Sequence, residues 1–322
     1  MQQNTNGREL SALGWLFFST ITVHVLVEIA LGLLQSKGIT FPVEVTLTLS
    51  ELTILVPSMI YILIRNLNFK EDLRFRRIKT GSIFMCILLS FLVTPVASFI
   101  NVLSQLFVSN TMVQNADKLM GGSSLALLFL GAFYGPFCEE FMFRSIFNNR
   151  YEVYTGPLRA GFISALFFAL MHMNLNQATY AFVLGVIFSI INKAAGSVYP
   201  SMIIHTCING GNIALMIVMS KAAKLVGDNI DIGKAAEEAR KSNVIYVMIG
   251  ATLVVEIISS ALAIPCVVWL SKHEGQSEEL RDMFCNRHKS EKWLTFSTVL
   301  ALVLVLFIMT GLGPMLALIK EN

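Results

Sequence analysis

The chain of 322 residues is 55% hydrophobic and only 14% charged, with a mean hydropathy of +0.66. Soluble domains carry charge on roughly a quarter of their residues, so this composition excludes an ordinary water-soluble fold and points to a membrane protein. The formal net charge of +3 is too small to argue for nucleic acid, and five cysteines at unrelated spacings, with no CxxC, argue against a disulfide framework.

A bilayer core of about 30 Å takes about 20 apolar residues in helix. By that measure apolar stretches fall near 11–34, 45–64, 82–108, 124–147, 158–172, 177–192, 198–220, 244–271 and 294–318. The fifth and sixth are short and joined by the turn MNLNQ at 173–177. The expectation is an all-α, polytopic membrane bundle of eight or nine transmembrane helices, one domain over residues 1–322, with a polar intramembrane cavity. The first apolar run is long and lacks a small-residue cleavage site, so it reads as a retained anchor. Between the second and third stretches, Arg65 and the segment NLNFKEDLRFRRIKTG contribute six basic residues. Such charge collects in cytoplasmic loops, which places this loop and the N-terminus inside. The loop 221–243, with five basic residues, then falls outside and reads instead as an amphipathic surface helix.

Ionisable residues interrupt the apolar stretches at His24, Glu28, Glu51, Glu139, Glu140, Arg144, His172, His205 and Glu256. Each charge at mid-bilayer costs roughly 2.5–3.5 kcal/mol and requires a partner or a wet cavity. At 100° per residue Glu140 and Arg144 share a face at i and i+4, whereas Glu139 is turned away from both. Arg144 can therefore pin Glu140 and leave Glu139 directed at other helices. Gly131, Gly135 and Pro136 precede the pair and permit a kink or a close backbone approach. Further on, Phe168 and His172 share one face, as do His205 and Asn209, with Gly210 and Gly211 permitting close helix contact.

A lone intramembrane histidine is as commonly a helix–helix hydrogen bond as a catalyst, and His24 with Glu28 fits that plainer role. Glu51 and Glu256 stand alone and read as structural or lumen-facing. Cys138 and Cys207 have nothing nearby to activate them. His273 and His288 lie in charged loops and read as solvated, and Met120, Met142, Met171 and Met173 read as packing. The acid, base and amide residues on three successive helices are harder to explain as coincidence.

Those residues also fall into three motifs. EEFMFR resembles the EExxxR motif of the CPBP (Abi) family, the CAAX prenyl protease and bacteriocin-processing group; FALMH resembles its FxxxH and HTCIN its HxxxN. Each motif alone is weak, but three in family order are specific. The resemblance covers about 125–215, read as a CPBP-like catalytic core, and the flanks carry no signature. It implies a glutamic intramembrane endopeptidase with no metal and no cofactor. Glu139 would be the base that activates water, His172 would hold that water, and His205 with Asn209 would stabilise the oxyanion, supported by Glu140 and Arg144. The substrate would be a membrane-associated or lipidated peptide or protein, its other partner the lipid bilayer, and its location a bacterial plasma membrane. Two alternatives stand beside it. One is a zinc membrane protease using Glu139, Glu140, His172 and His205, although HExxH is absent. The other is a membrane binding, immunity or transport protein that keeps the polar cavity without hydrolysis.

Overall fold

The computed structural model describes residues 2–114, 121–226, 232–286 and 291–312, and these contain helices and no strand. In chain order, leaving aside the single turn Thr111–Gln114, the helices are α1 (Gln2–Ser36), α2 (Val43–Arg65), α3 (Thr80–Ser104), α4 (Ser124–Thr155), α5 (Pro157–Met171), α6 (Leu175–Ala195), α7 (Tyr199–Val226), α8 (Ile232–Lys241), α9 (Val244–Glu274), α10 (Ser277–Cys285) and α11 (Phe296–Phe307). Among the described residues seven of these, α1 to α4, α6, α7 and α9, are long and apolar enough to cross a membrane. The apolar helices α5 and α11 are shorter. Together they account for the nine apolar stretches of the sequence in a polytopic helical bundle, although the last stretch runs past 312, outside the described residues.

Local chemistry sets the helix ends. α2 starts after Pro42, which lacks an N–H to leave unsatisfied, and stops at Asn66, whose left-handed backbone (φ 50°) returns its N–H to the carbonyls of Ile62 and Leu63. α5 and α6 are joined by a tight reversal. Met173 takes φ 50°, and the Asn174 side chain caps α6 by accepting from the Gln177 N–H at 2.9 Å. The fifteen residues of α5 rise about 22 Å, short of a bilayer core of about 30 Å.

Two large clusters of apolar side chains, and a smaller one of Leu127, Ala132, Ile213 and Ile217, hold the bundle. Phe17 of α1 stacks on Phe167 of α5 (centroids 4.4 Å apart) and meets Phe147 of α4 edge-on at 6.0 Å; Tyr61 and Ile62 of α2 and Val305 of α11 belong to the same cluster. The second cluster joins α3, α6, α7 and α9 through Leu89, Val93, Phe188, Ile204 and Leu270. At one end of the bundle, a set of ion pairs replaces apolar packing. Arg74 makes a two-pronged contact with Glu152 at 2.8 and 2.9 Å, Lys193 reaches both Glu152 (2.9 Å) and Glu279 (2.6 Å), and Arg150 meets Asp72 at 3.0 Å. The basic loop is thereby folded against the ends of α4, α6 and α10. The surface helix expected in 221–243 is α8, whose Arg240 donates to the Gln105 carbonyl at 3.4 Å beside the far end of α3; residues 227–231 of that loop lie outside the described residues.

α5 and α6 are packed backbone to backbone. A Cβ on Gly185 would stand 2.8 Å from the Ala165 Cβ and 3.2 Å from Nη2 of Arg144, whereas one on Gly211 would meet nothing within 4 Å. The close contact expected at both Gly210 and Gly211 is therefore restricted to Gly210, whose added Cβ would lie 3.4 Å from Ala132. Gly185→Val is expected to destabilise the protein by about 1–3 kcal/mol through overpacking. Gly211→Ala is expected to be neutral or slightly stabilising, and thermal unfolding of both variants in detergent checks the contrast.

Candidate active site

The first motif lies where α4 changes pitch. Its turns are π-helical over Leu128–Tyr134, α-helical over Gly135–Glu140 and π-helical again over Phe141–Asn148. Such wide turns are uncommon inside helices and concentrate at functional sites. Glu139 and Glu140 sit at the second of these junctions.

The two glutamates have different surroundings, as the helical spacing predicts. Glu140 and Arg144 are both fully buried, with Glu140 Oε2 3.4 Å from Arg144 Nε. The arginine is further held by Ser164, whose hydroxyl accepts from Nη1 at 3.3 Å, and by Phe168 and Phe188, whose ring centroids lie 4.6 and 5.7 Å from the guanidinium carbon. Both rings offer their π faces to a desolvated cation. Glu139 keeps 19% of its side chain exposed and turns to His205, with Oε2 3.6 Å from Nε2.

His205 joins the two acids. Its Nδ1 lies 3.1 Å from Glu140 Oε1. Because Glu140 is paired with Arg144 and acts as acceptor, Nδ1 is the donor nitrogen, and Nε2 is left facing Glu139. His172, at the end of α5, places Nδ1 2.9 Å from the Phe168 carbonyl, so Nδ1 donates and Nε2 is free to accept. Phe168 stands between the two imidazoles, edge-on to both at 5.0 and 5.9 Å. Asn209, one turn beyond His205, donates from Nδ2 to the Gly131 carbonyl at 3.3 Å and ties α7 to the first wide turn of α4. The residues of all three motifs are thus brought to one region of the bundle, and Asn209 spends one of its two amide hydrogens on the helix contact.

Several other polar residues have settled roles. His24 lies 3.0 Å from the Thr53 hydroxyl and links α1 to α2, as the plainer reading of that residue expects. Glu256 accepts from Ser260 within α9 at 2.9 Å. His273 differs from its expectation: rather than being freely solvated, it stacks on Trp269 at 4.5 Å, and a Cβ on Gly81 would lie 3.1 Å from its Nε2. His288 and Met120 lie outside the described residues. Glu51 also differs, because it is directed at α4: its Oε1 would stand 3.3 Å from a Cβ on Gly135. The lone-residue view of the sequence missed this contact, and the glycine one helical turn before Glu139 was the available signal.

Among the described residues no three histidine, cysteine, aspartate or glutamate side chains gather as a metal-ligand set.

Residue truncation tests the buried pair. Arg144→Met alone is expected to cost about 3–5 kcal/mol, because it strands an unpaired carboxylate. The double variant Glu140→Leu/Arg144→Met is expected to recover most of that loss, as read by unfolding in detergent.

Comparison with known proteins adds one finding. Residues 121–211 match the family described as type II CAAX prenyl endopeptidase Rce1-like. No curated protein and no solved structure matches the chain at a significant level. The matched stretch runs from the start of α4 into α7 and contains every residue of the three motifs. The site-bearing segment of this multi-pass membrane protein therefore resembles the type II CAAX prenyl endopeptidases, the group to which its motifs point.

Proposed function

We propose that the protein is an intramembrane glutamic endopeptidase that hydrolyses a peptide bond of a membrane-associated or lipidated peptide, working in a cell membrane. The observation that carries this reading is the unequal pair at the start of EEFMFR. Glu140 is sealed with Arg144, while Glu139 remains partly exposed and faces an imidazole.

In this reading Glu139 takes a proton from a water whose other hydrogen is accepted by Nε2 of His172. The resulting hydroxide attacks the scissile carbonyl carbon. Negative charge then develops on the carbonyl oxygen, where the second amide hydrogen of Asn209, one turn beyond His205, stabilises it. Collapse of the tetrahedral intermediate breaks the C–N bond, and the proton held by Glu139 passes to the leaving nitrogen, which restores the carboxylate. Glu140 and Arg144 act one step back, because their pairing orients His205 through Nδ1. The desolvated helix interior makes each fixed dipole more effective than in water.

The purified protein in detergent, given a quenched fluorescent peptide ending in a farnesylated CAAX box, is expected to release a shorter product without any ion gradient. Glu139→Gln is expected to lower that rate by about 100-fold or more while leaving the unfolding temperature near its original value. Asn209→Ala is expected to reduce kcat more than it raises KM, since it removes a donor used in the transition state. Retained cleavage in Glu139→Gln, or loss of cleavage to a chelator with recovery on adding zinc, would overturn the reading.

A further inference from the structure

The chemistry above leaves one buried acid without a task. Glu51 projects from α2, a helix whose buried side chains are Thr53, Ile54, Pro57, Ser58, Tyr61 and Ile62. Its Oε2 is buried and has no hydrogen-bond partner among the described residues. An unpartnered carboxyl in that position is costly, and an apolar side chain would fill the same space without the cost.

The carboxyl is aimed at α4. Its Oε1 and Cδ would lie 3.3 and 3.5 Å from a Cβ on Gly135, so any side chain at 135 would press on the acid. Gly135 and Glu139 are four residues apart within the regular α-helical part of α4 and therefore share a face. The absent side chain at 135 opens that face, and Glu51 interacts electrostatically with Glu139 one turn further on. Glu140, Arg144, Cys138 and Tyr180 also act on Glu139 electrostatically, and His205 lies beside it. Besides Glu139, the groups facing Glu51 are Tyr134 and Cys138.

We propose that Glu51 is a third acidic member of the site, a positioning residue that acts through Glu139 across the glycine window at 135. This inference rests on the endopeptidase reading and deepens it. Two carboxyls that interact through a medium of low dielectric do not take up protons independently. The proton that Glu139 removes from water is then shared with Glu51 while the tetrahedral intermediate lasts, and it returns through Glu139 to the leaving nitrogen. No proton is gained or lost in the exchange.

The test uses the full-length protein in detergent with the farnesylated CAAX peptide as probe. Glu51→Gln preserves shape and removes the titrating group. It is expected to lower kcat by about 10- to 100-fold, in the range seen for outer residues that orient a reacting group, with KM unchanged and the acidic limb of the kcat–pH profile displaced. Glu51→Asp is expected to recover most of the rate and restore the profile. Gly135→Ala, which interposes a methyl group without altering either acid, is expected to lower kcat in the same way and covers the case in which Glu51→Gln fails to fold. If Glu139→Gln is inactive but Glu51→Gln and Gly135→Ala keep the original kcat and pH profile, the role of Glu51 is overturned and the endopeptidase reading stands. If the unaltered protein leaves the peptide whole, or Glu139→Gln still cleaves it, the reading beneath the inference falls.

Discussion

The rest of the site depends on the burial of the Arg144 guanidinium. A desolvated cation with no counter-charge would not be tolerated inside the bundle, so the helices around it are arranged to supply one. Glu140 provides the carboxylate from one turn earlier, Ser164 of α5 a hydroxyl, and Phe168 and Phe188 two aromatic faces from α5 and α6. Once these groups are fixed, little freedom remains nearby. His205 must reach Glu140 through Nδ1, and this orientation decides which nitrogen it turns to Glu139. One buried charge thus fixes the relative placement of α4, α5, α6 and α7.

That dependence explains why the adjacent glutamates have opposite fates. A rotation of about 100° separates them on the helix, which is enough to put one against a cation and the other beside an open face. The wide turns on either side of Gly135–Glu140 leave this short α-helical segment intact while changing the pitch around it. Sequence position alone makes Glu139 and Glu140 look equivalent, but packing makes one a support and leaves the other available.

Much of this was legible in the sequence because it depends on period and solvent. Nine apolar stretches followed from the thickness of a bilayer, and the Glu140–Arg144 pair followed from four-residue spacing. The convergence of His172, His205 and Asn209 could be read only as a possibility, since spacing within a helix says nothing about which helices are neighbours. Two features were out of reach for definite reasons. The π-helical turns have no simple sequence signature, so the constant 100° step assumed for α4 was an approximation. Glu51 looked isolated because its partner surface is a glycine, a residue that advertises close approach without naming what approaches. His273 was misjudged because a charged neighbourhood does not reveal the Trp269 ring one turn away.

The ionic cluster at the loop end of the bundle carries a consequence for biogenesis. Arg74, Arg150 and Lys193 occupy one rim of the bundle, and these cations satisfy Glu152, Asp72 and Glu279. Basic residues, the kind that hold a loop back from translocation, are therefore also the ones that staple this rim shut. A chain in which one of the segments carrying residues 72–74, 150–152, 193 and 279 crossed to the other face would separate those acids from their cations, so correct insertion of each and a closed rim are decided together.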